Sequence, residues 1–101
     1  MNINIPEEII YPSFDEIRDL VEDPEQLKFS LDTVLFGSNA TLDSLALVSL
    51  IVAIEERIEE KTGFLVTLAD DKAMSRKSSP FRNVSSLSEY IEEIIKDEIN
   101  E

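Results

Sequence analysis

Asp43 and Ser44 open the stretch "LDSLALVSLIVAIEE", and Ser44 is the hydroxyl best placed for covalent chemistry. The chain has no histidine and no cysteine, so the usual partners that activate a serine nucleophile are missing. No lysine lies near Ser44 in sequence to make a Ser–Lys pair, and a neighbouring aspartate cannot sustain a triad alone. Hydrolysis at Ser44 is therefore disfavoured, and the chain is expected not to be an enzyme. Serine at this place suits two other roles. It can cap a helix by accepting from a loose backbone N–H. It can also carry an anion, because free N–H groups and the helix dipole stabilise negative charge at a helix start. A phosphodiester on Ser44 fits the second role. Asp43 would repel such a group, so it suits capping or recognition by a modifying enzyme. The acids do not form the D-x-[DN]-x-[DN]-G calcium loop, and no metal site is expected.

The element that must position Ser44 is a helix predicted over about 44–61. At about 100° per residue, Leu47, Leu50, Ile51, Ile54 and Ile58 fall on one side and form the core stripe. Leu45, Ser49, Val52, Glu56 and Glu59 fall on the other. This outer side, apolar at its head and acidic at its foot, has the character of a docking face. Glu55, Glu56, Glu59 and Glu60 sit near the negative end of the dipole, where each costs on the order of 0.3–1 kcal/mol at low salt. Arg57 and Lys61 offset part of that cost. A basic partner is one reason for such placement, and a solvated helix end is the other.

Around this helix the chain reads as all-α. Ser13-Phe14-Asp15-Glu16 has the S-x-x-E form of a capping box, which places a first helix at about 13–22, ended by Pro24. Residues 1–12 are an N-terminal extension. Asn4-Ile5-Pro6-Glu7 can start a short helix there, and Pro12 is expected to interrupt it. A long connection follows, pinned to the core by Leu27, Phe29, Leu31, Val34, Leu35 and Phe36. Gly37-Ser38-Asn39 reads as a turn. Gly63 suits the left-handed residue after the second helix. A short helix is predicted at about 69–75. The last, about 86–98, opens on a second capping box at Ser86–Glu89. Its stripe is Leu87, Tyr90, Ile91, Ile94 and Ile95.

With 101 residues and 43% apolar content, the chain suits one domain over 1–101 with one modest core. Its 22 acids against 9 bases give a formal charge of −13. That charge argues against nucleic acid and anionic membranes, and for partners with basic patches. No signal peptide and no membrane-spanning run are read, so a cytoplasmic protein is expected. The sequons at Asn39 and Asn83 are read as chance.

Asp43-Ser44-Leu45 at the head of "ALVSLIVAIEERI", after a long loop in a small acidic chain, resembles the acyl and peptidyl carrier proteins. The closing "VSSLSEYIEEII" fits as well, and the likeness extends over about residues 13–98. The resemblance implies a small four-helix bundle, three main helices plus one short one, with a long loop after the first helix. It implies 4′-phosphopantetheine attached covalently to Ser44, with Asp43 and Leu45 flanking it. The thiol absent from the sequence would then come from the prosthetic arm. The implied partners are a phosphopantetheinyl transferase and acyl-loading or acyl-transferring enzymes with basic docking patches. Ala46, Ser49, Val52, Glu55 and Glu56 fall on the family's partner-facing positions. Fatty-acid carriers typically have acids where Ala46 and Ser49 stand, which points to a specialised pathway. Lys72, Arg76, Lys77 and Arg82 make the later segment unusually basic, as partners for the chain's own acids or as a second contact surface. A monomeric, stand-alone carrier of thioesters is expected. The alternative is an acidic helical protein–protein interaction domain in which Ser44 is only a helix cap.

Overall fold

The computed structural model describes residues 3–21, 25, 27–35, 42–68 and 80–99. These residues are mostly helical with no strand among them, in keeping with the all-α expectation. Three helices carry the structure: α1 (Tyr11–Ile17), α2 (Ser44–Thr62) and α3 (Val84–Ile99). The short helix expected near 69–75, the turn at Gly37-Ser38-Asn39, Phe36 and Pro24 lie outside the described residues, as do Lys72, Arg76 and Lys77.

The first helical segment differs from the sequence-based expectation. It begins at Ile5, with a π-helical stretch Ile5–Ile10 running directly into α1 and a 3-10 turn Arg18–Leu20 closing it. Its cap is Asn4. The Asn4 side chain accepts from the Glu7 N–H at 3.2 Å, and Glu8 reaches back to accept from the Asn4 N–H at 2.6 Å. The reciprocal capping expected of Ser13 and Glu16 is made instead at Asn4 and Glu8. Ser13 instead lies buried within the helix, its hydroxyl donating to the Ile9 carbonyl at 2.7 Å. Pro12 does not break the segment. A proline has no N–H to donate and its ring crowds the carbonyl four residues back. The wider π turn before it, in which the Tyr11 N–H reaches the Pro6 carbonyl, loosens that crowding and lets the chain stay helical.

Early initiation has a reason in burial. Ile5, Ile9, Ile10, Phe14 and Ile17 all enter the core, so the segment from Ile5 presents one continuous apolar face. The stretch packs against both α2 and α3. Opposite it, α2 buries Ala46, Leu50, Ile54 and Ile58, and α3 buries Val84, Leu87, Tyr90, Ile91 and Ile95. Leu47 and Ile51, expected in the core stripe, sit at its partly buried border. Each fully buried aliphatic side chain contributes about 1.5–3 kcal/mol relative to exposure. Two ion pairs fasten the rim: Arg57 to Glu16 at 2.9 Å and Lys61 to Glu8 at 3.6 Å.

The connection between the first segment and α2 is fixed at both ends of its described part. Leu27 and Leu35 are buried. Phe29 is half exposed and stacks on Tyr11 with ring centroids 4.8 Å apart, while Leu31 also stays half exposed, so neither is the core pin that was expected. Residues 31–35 run against the start of α3. The Leu35 N–H donates to the Arg82 carbonyl (2.8 Å), Val84 to Thr33 (3.1 Å) and Ser85 to Leu31 (3.0 Å). An antiparallel bridge joins Val34 and Asn83.

Candidate functional site

The head of α2 is built by Asp43. Its backbone is extended, and its carboxylate accepts from the Ala46 N–H at 2.8 Å. Asp43 is therefore the N-cap, and Ser44 is the first residue with helical backbone. The reading in which Ser44 itself is the cap is not what the fold adopts. An aspartate is the more effective choice here, because it satisfies an orphan donor and adds negative charge at the positive end of the dipole. Just before it, Leu42 is buried and anchors the approach to the helix.

From that head, α2 runs to Thr62 and ends at Gly63 in the left-handed conformation (φ 79°), whose N–H donates to the Glu59 carbonyl. The space around Gly63 would admit a Cβ, so it is backbone conformation alone that favours glycine there. Along the outer side, Leu45 is 66% exposed, Val48 57% and Val52 47%. Their spacing of three and four residues makes one stripe. It continues into Glu56 and Glu59, both exposed. The pairs that Arg57 and Lys61 make with the first segment turn two bases of α2 toward the core side. The outer side thus has an apolar head and an acidic foot.

The expected partner-facing residues divide. Val52 and Glu56 lie on this exposed side, and Ser49 is half-buried at its edge. Ala46 does not belong to it. It is 1% exposed, one turn before Leu50 on the core side, and belongs to the buried cluster. Glu55 has an internal role. Its carboxylate accepts from the Leu68 N–H at 2.7 Å and ties the chain leaving α2 back onto the helix. Val48 was missed, although its position between Leu45 and Val52 carried the signal.

The foot of α3 has its own cap. Asn83 accepts from the Ser86 N–H at 2.8 Å, and the Ser86 hydroxyl accepts from the Asn83 N–H at 3.2 Å. The helix starts at Val84, ahead of the expected box at Ser86 and Glu89. The Asn83 side-chain oxygen is thereby engaged in capping.

Among the described residues, no helix is long and apolar enough to cross a membrane. No protein-family model, no curated protein and no solved structure matches the chain.

Proposed function

We propose that this chain is a stand-alone acyl carrier protein, which tethers acyl or related thioester intermediates on a 4′-phosphopantetheine arm attached to Ser44. The observation that supports this most is the division of labour at the head of α2. Asp43 satisfies the helix end through its bond to the Ala46 N–H, so Ser44 does not occupy the capping position. A phosphodiester added at the first helical residue would meet the positive end of a 19-residue helix. The exposed stripe of Leu45, Val48 and Val52 leading to Glu56 gives incoming enzymes an apolar contact that ends in negative charge.

In this reading the chain itself catalyses nothing. A phosphopantetheinyl transferase would join the Ser44 oxygen to the phosphopantetheine phosphorus of coenzyme A, breaking the pyrophosphate bond and releasing adenosine 3′,5′-bisphosphate and the hydroxyl proton, and the arm's thiol would then carry the cargo. The tether raises the effective concentration of that cargo at each enzyme that docks. The proposal includes a four-helix bundle whose short helix spans about residues 69–75, a cytoplasmic setting and a monomeric state. It assigns the chain to a specialised pathway, because Ser49, at the edge of the exposed side, stands where fatty-acid carriers typically have an acid.

The test is direct. The purified protein is incubated with coenzyme A and a broad-specificity phosphopantetheinyl transferase, and its intact mass is recorded. One phosphopantetheine is expected on the native chain and none on Ser44→Ala. A folded native chain that gains no mass would overturn the carrier reading and leave the acidic helical interaction domain.

A further inference from the structure

The strap of residues 31–35 is bonded to the start of α3 along one edge and open along the other. Leu35 donates to the Arg82 carbonyl and Val84 to the Thr33 carbonyl, so Val34 and Asn83 are the non-hydrogen-bonded pair of a short antiparallel ladder. In such a pair the N–H and C=O of each residue point away from the opposite strand. The N–H and C=O of Val34 are thus turned to the outer edge of the strap. Neither has a hydrogen-bond partner among the described residues, and Val34 is partly exposed. A donor and an acceptor side by side on one extended residue are matched by the main chain of another extended segment, which is how open strand edges recruit partners.

The side chains around this edge give it a character of its own. Phe29 and Leu31, just before it, are 51% and 49% exposed, and Phe29 is held in place by its stack on Tyr11. Lys28 and Arg82 stand at the two ends. The Lys28 carbonyl accepts from the Thr33 hydroxyl at 2.7 Å and the Arg82 carbonyl from the Leu35 N–H at 2.8 Å, which fixes both residues beside the strap. Arg18, Arg57, Lys61 and Lys96 each pair with a carboxylate, whereas Lys28 and Arg82 are exposed and make no ion pair among the described residues. Over residues 27–35 and 80–83 these two bases stand against one acid, Asp32, in a chain with 22 acids and 9 bases. Charges farther off than the Debye length of about 8 Å are screened at physiological salt, so these near bases outweigh the net charge of the whole chain in a contact made here. We infer that the outer edge of the strap docks an extended, acidic segment of a partner protein by strand addition. The main chain of that segment pairs with the N–H and C=O of Val34, an apolar side chain lies over Leu31 and Phe29, and its carboxylates face Lys28 and Arg82. Ser44 takes no part, and the docking holds whether or not that residue carries a prosthetic arm.

The probe is a short peptide of alternating valine and threonine with glutamates at both ends, titrated into the ¹⁵N-labelled full chain and followed by NMR. Saturable shifts are expected at Leu31, Val34 and Arg82, with nuclear Overhauser contacts between the Val34 amide proton and the peptide backbone. Val34→Pro removes the outward donor but none of the bonds to α3, and weakens binding by about five-fold or more. Val34→Thr keeps the N–H and binds as the native chain does. Lys28→Gln/Arg82→Gln and a peptide with glutamines for its glutamates each bind several-fold less tightly, while Leu45→Ser/Val52→Ser on α2 leaves binding unchanged. Circular dichroism checks that each variant is folded, and the contacts to Val34 in the native chain decide the matter should the proline variant unfold. Bound peptide without contacts to the Val34 amide would overturn the proposal. So would a folded Val34→Pro chain that binds as tightly as the native one, or no binding at millimolar peptide.

Discussion

The assignment of the cap to Asp43 makes a quantitative contrast between adjacent residues. Asp43→Ala removes the carboxylate that accepts from the Ala46 N–H at 2.8 Å and leaves that donor to water. Loss of an N-cap costs about 1 kcal/mol, within a range of roughly 0.5–2. The lost charge at the helix start adds on the order of 0.3–1 kcal/mol at low salt. For a domain of this size each kcal/mol lowers Tm by about 4–8 °C, so Asp43→Ala should melt at least about 3 °C below the native chain. Asp43→Asn keeps the acceptor and should lose only the charge contribution, which shrinks in high salt. Ser44→Ala replaces the first helical residue with the best helix former and should shift Tm by no more than the equivalent of about 0.5 kcal/mol. Thermal melts of the four unmodified proteins, followed by circular dichroism at 222 nm, give the comparison. The reverse pattern, with Ser44→Ala costly and Asp43→Ala silent, would refute the reasoning. It would make Ser44 the cap and remove the observation on which the carrier reading chiefly leans.

Three further outcomes follow from the packing. Ile54→Ala, at a fully buried position of α2, should cost about 2–5 kcal/mol in urea unfolding, whereas Val52→Ala on the exposed stripe should stay within about 0.5 kcal/mol. Tyr90→Phe leaves the Leu68 carbonyl without its hydroxyl donor and should cost about 0.5–1.5 kcal/mol, with loss of amide protection at residues 66–68 by hydrogen exchange. Burial, and after it the nearby charge of Glu7, raises the pKa of Tyr11 above its ordinary value. The neutral phenol is thus favoured by the fold. Its contribution is complete below the unfolded value of about 10 and is lost as pH climbs through the raised folded value. An NMR titration of the Tyr11 ring should show a midpoint above that of free tyrosine, and a midpoint at or below it would contradict the stacked, partly buried placement against Phe29.

Much of the helical core was readable because its residues repeat with the helical period. Leu50, Ile54 and Ile58, and likewise Leu87, Ile91 and Ile95, are spaced so that only one face can hold them, and that face is buried. The bounds of α2 were also legible, since an aspartate–serine head and a glycine tail mark its two ends. The first segment was harder. Pro12 and the S-x-x-E pattern are strong local signals, yet tertiary burial of Ile5, Ile9 and Ile10 outweighs them and the π turn absorbs the proline. Nothing local separates Ser13 as a cap from Ser13 as a buried hydroxyl bonded to Ile9. At the candidate site, the positions of Ser44, Leu45, Val52 and Glu56 followed from the pattern. Ala46 was carried over from the family resemblance onto a position that this chain buries. The bond from Leu68 to Glu55 joins residues 13 apart through a reversal of the chain, and periodicity holds no information about such a contact.

The strap formed by residues 31–35 across the start of α3 has an evolutionary side. Each of its bonds joins one main-chain group to another, so ordinary side-chain replacement cannot delete any of them. Only proline, which lacks the donor, would do so at Leu35, Val84 or Ser85. Leu31 and Arg82, both exposed, can therefore be exchanged for other side chains without removing a main-chain bond of the strap.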